Sequence, residues 1–545
     1  MNNILSEIVE LINSKNYLKA ENNLAVMISK DPKNFILNKL FGVSRLAQKR
    51  YNTALKCFNI CYEQKKDDYD VNVNLSFLFV KIQNYELAIK FGKEALNCNQ
   101  SRPEAYHNLA ESYLYLLDFD LAKENILSTI KLRGGFDSKE FLGFTDLVNL
   151  YAEILLARNE IDNFISFAQK ILDGDSYHSG LFLKLIQNDI SNIKPHYIEN
   201  INKALSNNKF ETLVKEKTFK ADMNFCLARY YAKSDKKKSE EYYIIANKNI
   251  ADMQRQSLFV RQKLYLEIVD HFNSFDYQNI KEKIDSKKGK GLIFVVGMPR
   301  SGTTLTESII STSQDTKPGG EKVFFPIQLQ SKIMNFKKLS TGKLGSIEQQ
   351  AQNLDFFEEL GDGYLNNIRM QRGNKKFYVD KLPENYLFYK FIKLALPGSK
   401  FVHVQRDPWD NAISLYKENY TETVFFASSF FGIAMEYANY ENLIKYWKEI
   451  DGENCMLNIK YEELVTNTGL IADKIWSYCD LKGEYAPEER KNHFANTASR
   501  QQVTKEIYTT SLKKSDFEEF ESDFYKNLEN QREYWVKKMS QINQS

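Results

Sequence analysis

No stretch of this 545-residue chain approaches the ~20 consecutive apolar residues that a membrane-crossing helix needs, so no span is expected. The start, Met1-Asn2-Asn3-Ile4-Leu5-Ser6-Glu7, has no basic segment leading into an apolar core, and no secretory signal is expected. Charge of one sign is not in excess. Lys and Arg number 74 against 71 Asp and Glu, a formal +3, which by itself says nothing about nucleic acid. The short basic run Lys287-Lys288-Gly289-Lys290 lacks the interleaved aromatics that would stack bases, so no nucleic acid partner is expected. Cysteine is scarce: Cys57, Cys61, Cys98, Cys226, Cys455 and Cys479 are scattered. Cys57 and Cys61, four apart on a helical pattern, read as core residues, and no His, Cys and carboxylate cluster suggests a metal site. A reducing, cytoplasmic setting fits.

What is present points to at least two domains, because 545 residues exceed one ordinary core. Tyr17-x-x-Ala20, Tyr51-x-x-Ala54, Tyr85-x-x-Ala88 and Phe119-x-x-Ala122 recur every 34 residues. Phe41-Gly42, Leu75-Ser76 and Leu109-Ala110 fall on the same interval. The pattern resembles the tetratricopeptide repeat (TPR), a helix–turn–helix unit in which small residues let paired helices approach. The phase breaks around Gly134-Gly135-Phe136-Asp137. Helical patterns continue over Leu147–Ala157, Phe164–Leu172, Tyr197–Leu205, Phe225–Lys233 and Ser239–Asn249. The expectation is a helical solenoid over 1–275, clear to 136 and degenerate from 137, then a linker over 276–290. Such an arm presents a surface for a partner or acceptor chain.

From 291 the texture changes to alternating strands and helices. Leu292–Gly297, Phe377–Asp380, Lys400–Gln405 and Met456–Tyr461 read as strands, with helices over Pro383–Ala395 and Asp410–Tyr420. That alternation predicts an α/β domain over 291–545 with a mostly parallel sheet, its ligands beyond the carboxyl ends of the strands.

The first candidate strand runs into Gly297-Met298-Pro299-Arg300-Ser301-Gly302-Thr303-Thr304 and then a helix. Strand, glycine loop and helix N-terminus together offer backbone N–H groups and a positive dipole end to a phosphate. The spacing is that of a P-loop, but Thr303 stands where a nucleoside triphosphatase has the Lys that reaches the β/γ-phosphates. A triphosphate is therefore a poor candidate ligand. A second motif, Arg406-Asp407-Pro408-Trp409-Asp410-Asn411-Ala412-Ile413-Ser414, leaves another strand and enters a helix capped by Asp407 or Asp410. Arg406 offers a fork of donors that suits a phosphate.

Together the two motifs resemble the sulfotransferase family, over roughly 291–540. The resemblance implies that Arg300, Ser301, Gly302, Thr303 and Thr304 form the 5′-phosphosulfate loop for 3′-phosphoadenylyl sulfate (PAPS), and that Arg406 and Ser414 clamp its 3′-phosphate. It is strongest to the protein-tyrosine sulfotransferase branch and its repeat-bearing relatives. In that branch Glu321 matches the catalytic base, Lys381 a Lys before a helix, and Ser499 the S-x-x-Q-V segment. Lys513 or Lys514 stands for a downstream phosphate-binding Lys, and Tyr461 matches a segment near the nucleotide. The implied catalytic set is Glu321, Lys381, Arg300 and Ser499. The implied nucleotide set is the loop with Arg406, Ser414, Tyr461 and Lys514. One departure is Glu418, where the branch has a basic residue four after the clamp serine; Lys417 adjoins it.

The chemistry suits these residue types. A carboxylate takes the acceptor's proton as its oxygen attacks sulfur, and Lys381 and Arg300 neutralise charge on the departing nucleotide, with no metal required. The bland alternatives are a helix cap for Glu321 and a surface charge for Lys381. His403 reads as a core residue and His493 as a second candidate base. Trp409 and Tyr386 are candidate adenine stackers or simple packing. The acceptor could be a protein tyrosine, a glycan or a small molecule. Two other readings remain: a small-molecule kinase with an atypical P-loop, and a non-catalytic repeat scaffold.

Overall fold

The computed structural model describes all residues except 1, 175–176, 208–211, 275–276, 330–353, 421–423, 493–511, 513–514 and 543–545. The chain forms two compact units, Met1–Phe167 and Ala168–Ser545.

The first unit is a run of helices paired as the 34-residue interval predicts: Tyr17–Lys30, Phe35–Ala47, Tyr51–Gln64, Tyr69–Lys81, Tyr85–Cys98, Pro103–Tyr115 and Phe119–Leu132. Each repeat aromatic opens a helix. The alanine one turn later (Ala20, Ala54, Ala88, Ala122) is fully buried, since only a methyl fits between the paired helices. Ser76 adds a buried Oγ hydrogen bond of 2.8 Å to the Ala88 carbonyl. The turns repeat as strictly as the helices. Lys15, Lys49, Gln83 and Leu117, again 34 apart, all sit in the left-handed region at φ +59° to +67°. The residue after each closes the preceding helix with a long-loop bond, such as Arg50 N to Arg45 O at 2.8 Å. Asn159 is the same turn, 42 residues after Leu117 rather than 34, so the break at Gly134 is an eight-residue insertion. Cys57 and Cys61 are buried, and burial raises their thiols to about 11 and about 12.

The second unit holds a five-stranded, wholly parallel sheet in the order β2-β3-β1-β4-β5: β1 Leu292–Gly297, β2 Thr316–Pro318, β3 Phe377–Asp380, β4 Lys400–Gln405 and β5 Leu457–Lys460. Every residue of β1 is buried, as a central strand covered on both faces requires. β2 was not expected: three residues, one of them proline, carry no strand pattern. The chain crosses over β1 on its way from β3 to β4, so the switch point lies at the carboxyl end of β1.

Helices Leu213–Tyr231 and Lys236–Ser274 belong to this same unit. Phe225, Tyr243, Tyr265, Val269 and Phe272 share one core with Phe294, Tyr386, Phe401 and Trp447. The compact units thus divide at Phe167, whereas the sequence reading ends the helical arm near 275. The stretch expected as a linker carries the helix Gln278–Lys283 and then packs down, with Lys288 paired to Asp362 at 2.7 Å and its carbonyl accepting from Gly398 N at 2.7 Å. Helix Lys236–Ser274 also delivers a largely buried cation. Arg261 Nε donates to Glu436 at 2.7 Å, and Arg261 pairs with Glu384 as well. Tyr265 donates to the same Glu436 oxygen at 2.6 Å and lies 2.7 Å from the Tyr386 hydroxyl.

Candidate active site

The loop after β1 turns sharply: Arg300 has φ +68° and Gly302 φ +106°. A Cβ on Gly302 would lie 2.4 Å from the Tyr461 ring, so only glycine satisfies both the backbone and the space. Helix Thr303–Ile310 starts directly after it, with its first N–H groups facing the loop. Ser301 is buried, and its Oγ has no hydrogen-bond partner among the described residues. Thr303 and Thr304 are buried too.

The clamp motif meets this loop. β1 and β4 are neighbours, with Gly297 in register with Val404, so their loops rise side by side. Arg300 Nε donates to Ser414 Oγ at 3.3 Å, and Arg406 Nη1 donates to the Arg300 carbonyl at 3.0 Å. Arg406 lies over the Tyr461 ring, 4.6 Å from its centroid. Burial pushes the Arg406 guanidinium below its ordinary value, and the nearby charge of Arg300 acts in the same direction. The Arg300 guanidinium, itself little exposed, is met by the Glu418 carboxylate at 3.3 Å, so the two loops together present one buried cation and one shared with a carboxylate. Asp407 caps the helix Pro408–Tyr416 by accepting from Trp409 N and Asp410 N, both at 3.0 Å. Asn411, missed in the sequence, ties the loop to this helix through Pro299 O at 3.0 Å. Nothing in its helical spacing distinguishes it from a core residue.

Glu321 and Lys381 come together because β2 and β3 are adjacent. The ladder continues past the strands, with Gly319 N bonded to Val379 O at 2.7 Å and Lys381 N to Gly320 O at 2.9 Å. Gly319 lies so close to β3 that a Cβ there would fall 2.6 Å from the Val379 carbonyl. Lys381 Nζ, fully buried, then donates to Glu321 Oε1 at 2.6 Å, while Glu321 remains 41% exposed. A fixed cation thus holds a carboxylate that still faces outward. Glu307 supports the turn by accepting from Gly320 N at 2.9 Å. Tyr420 connects the two halves electrostatically: burial raises its phenol, and the charges of Arg300, Glu418 and Glu321 all act on it.

Ser499, Lys513, Lys514 and His493 lie outside the described residues. His403 is a core residue, held between Asn458 at 2.8 Å and Tyr440 at 2.5 Å and lowered by burial to about 4. Trp409 packs on Phe430 and Phe524, and Tyr386 on Tyr440, so both rings are spent on packing.

Asp380, next to Lys381, is buried and accepts from Tyr364 at 2.7 Å, Asn385 at 3.1 Å and Leu382 N at 3.2 Å. Burial still pushes its carboxyl up from 3.8 to about 7. A raised carboxyl leaves stability whole below its unfolded value and withdraws it as pH climbs to the folded one. About three units at about 1.36 kcal/mol each set a ceiling of about 4 kcal/mol. All four tryptophans (Trp409, Trp447, Trp476, Trp535) lie in the second unit and report its unfolding alone. Urea melts followed by their fluorescence should show the wild type losing stability relative to Asp380→Asn between pH 4 and 7. Parallel curves would mean that Asp380 is already ionised in the fold.

Residues 293–485 match the family model described as "Sulfotransferase family". They carry a sulfotransferase-family domain. The segment begins on β1 and takes in Arg300, Glu321, Lys381, Arg406, Ser414 and Tyr461. An uncharacterized protein of Aquifex aeolicus (strain VF5) is 29% identical over 250 residues, covering 43% of this chain and 32% of that protein. A Caenorhabditis briggsae protein named "Putative protein-tyrosine sulfotransferase" is 28% identical over 118 residues, covering 21% of this chain and 39% of its own. The chain therefore spans well under half the length of these curated relatives. Among solved structures, the sulfotransferase domain of the Synechococcus PCC 7002 olefin synthase aligns at 15% identity and a TM-score of 0.31, over 46% of this chain and 96% of that one. A tetratricopeptide repeat protein from Parabacteroides merdae aligns at 13% and 0.33, over 44% and 90%. The chain joins TPR-like helices to this sulfotransferase-family domain. Among the described residues no group of His, Cys, Asp and Glu is arranged to hold a metal, and no helix is long and apolar enough to cross a membrane.

Proposed function

We propose that the protein transfers a sulfuryl group from PAPS to an acceptor hydroxyl, on a protein tyrosine or a glycan, with the TPR arm binding the acceptor or a partner. The observation that carries this is the contact between the two anion-binding motifs, Arg300 to Ser414 and Arg406 to the Arg300 carbonyl. One ligand with two phosphate-type groups can then touch both. The residues present fit PAPS: a buried Ser301 hydroxyl has no partner among the described residues, the helix N-terminus faces the loop, and the little-exposed side chains of Arg300 and Arg406 stand beside it. In this reading the loop holds the phosphosulfate, and Arg406 with Ser414 holds the 3′-phosphate. Lys514 and Ser499 complete the nucleotide and catalytic sets by resemblance.

Glu321 takes the acceptor proton as the hydroxyl oxygen bonds to sulfur. The bond from sulfur to the bridging phosphate oxygen breaks, and that oxygen leaves with the electron pair as adenosine 3′,5′-bisphosphate (PAP). Lys381 and Arg300 stabilise the charge it gains. A tyrosine acceptor draws support from the name of the C. briggsae relative. Thr303 in place of the P-loop lysine weighs against a kinase. Calorimetry with PAP and with ATP tests the assignment. PAP should bind and ATP should not, and the reverse would turn the reading to a kinase. Labelling with ³⁵S-PAPS over peptides and glycans then identifies the acceptor.

A further inference from the structure

Glu418 stands four residues after Ser414, where the resemblance puts a basic side chain, and its contacts give that exchange a purpose. Its carboxylate bridges two arginines. Oε1 lies 3.3 Å from Arg300 Nη2, and Oε2 lies 2.9 Å from Arg229 Nη2. Arg229 also donates to the Lys417 carbonyl at 3.1 Å. It comes from helix Leu213–Tyr231, well before the family-matched segment 293–485. Neighbouring contacts pin the same stretch. Asn247 donates to the Tyr416 carbonyl at 2.8 Å, Asn419 to Asp222 at 2.7 Å, and Lys417 pairs with Asp516 at 2.8 Å.

We infer that Arg229 is a positioning residue that sets, through Glu418, how much of the Arg300 charge is offered to the nucleotide. The inference rests on the PAPS reading above. A carboxylate on Arg300 competes with any anion for the same guanidinium. Arg229 holds one carboxylate oxygen by the shorter contact, so Arg300 meets only the other. Without Arg229, both oxygens are available to Arg300 as a two-pronged pair, the strongest form of that interaction, and the loop loses its cation. The helices ahead of the family domain are thereby a working part of the nucleotide site.

A mutant cycle on the full chain, read by PAP calorimetry, tests this. Arg229→Met should weaken PAP binding by about 10- to 100-fold, the usual range for coupled charges in one network. Glu418→Gln should bind PAP at least as tightly as the wild type. The double variant should return to within about 3-fold of wild type, because the competitor is gone along with its keeper. A merely structural role for Arg229 predicts instead a double variant no better than Arg229→Met. That result, or an Arg229→Met variant with wild-type affinity, overturns the inference and leaves the PAPS reading standing. Failure of the wild type to bind PAP overturns both. Tryptophan fluorescence checks folding. Should Arg229→Met not fold, Glu418→Gln decides alone: about a 10-fold loss of PAP affinity there would reject the competition.

Discussion

Replacing Glu321 by glutamine is expected to lower sulfuryl transfer by about 10²- to 10⁴-fold, the range for removing a positioned general base. PAP affinity should stay within about twofold, because in the proposed mechanism the carboxylate serves the acceptor, and its partner Lys381 is fully buried while Glu321 remains exposed. The amide keeps a hydrogen-bond acceptor for Lys381, so the turn after β2 has no reason to move. Single-turnover labelling with ³⁵S-PAPS and PAP calorimetry on the same preparation separate the two effects. Equal losses in both would make Glu321 a brace for the loop and remove it from the chemistry.

The second large effect concerns Arg261. Its guanidinium is the cation shared by Glu436 and Glu384, with Tyr265 and Tyr386 completing the cluster. Arg261→Met leaves the buried Glu436 and the partly buried Glu384 without that partner, which costs about 3–5 kcal/mol when a buried pair is broken. Tryptophan fluorescence should show the urea midpoint of the second unit falling accordingly. Changing Glu436 to Gln in the same background should restore part of the loss, because one stranded charge is removed. A shift below about 1 kcal/mol would class the cluster with exposed ion pairs.

The 34-residue arm was legible because its period repeats the same small and aromatic residues, each with a fixed packing task. β1, β3 and β4 were legible as short apolar runs, and β5 differs from its expectation by one residue at each end. Asp410–Tyr420 begins two residues early and stops at Tyr416, because Asp407 rather than Asp410 supplies the cap. Pro383–Ala395 splits into a 3₁₀ turn and a shorter helix. The long helix Lys236–Ser274 extends past the Asn249 that the sequence reading reaches, and its later turns bury Tyr265, Ile268, Val269 and Phe272 at helical spacing. Arg229, Arg261 and Glu307 went unread for one shared reason. Their partners are distant in sequence or across a turn, and a charge that finds its counterpart only in three dimensions leaves no periodic trace.

The pairing of Gly297 with Val404 sets the spacing of the two loops that leave these strands. Hydrogen bonds between neighbouring strands fix their separation at about 4.8 Å, so the bases of the two loops cannot drift apart. The sheet therefore acts as a ruler. Loop substitutions can change which side chains stand at each mark, but the distance between the marks belongs to the backbone.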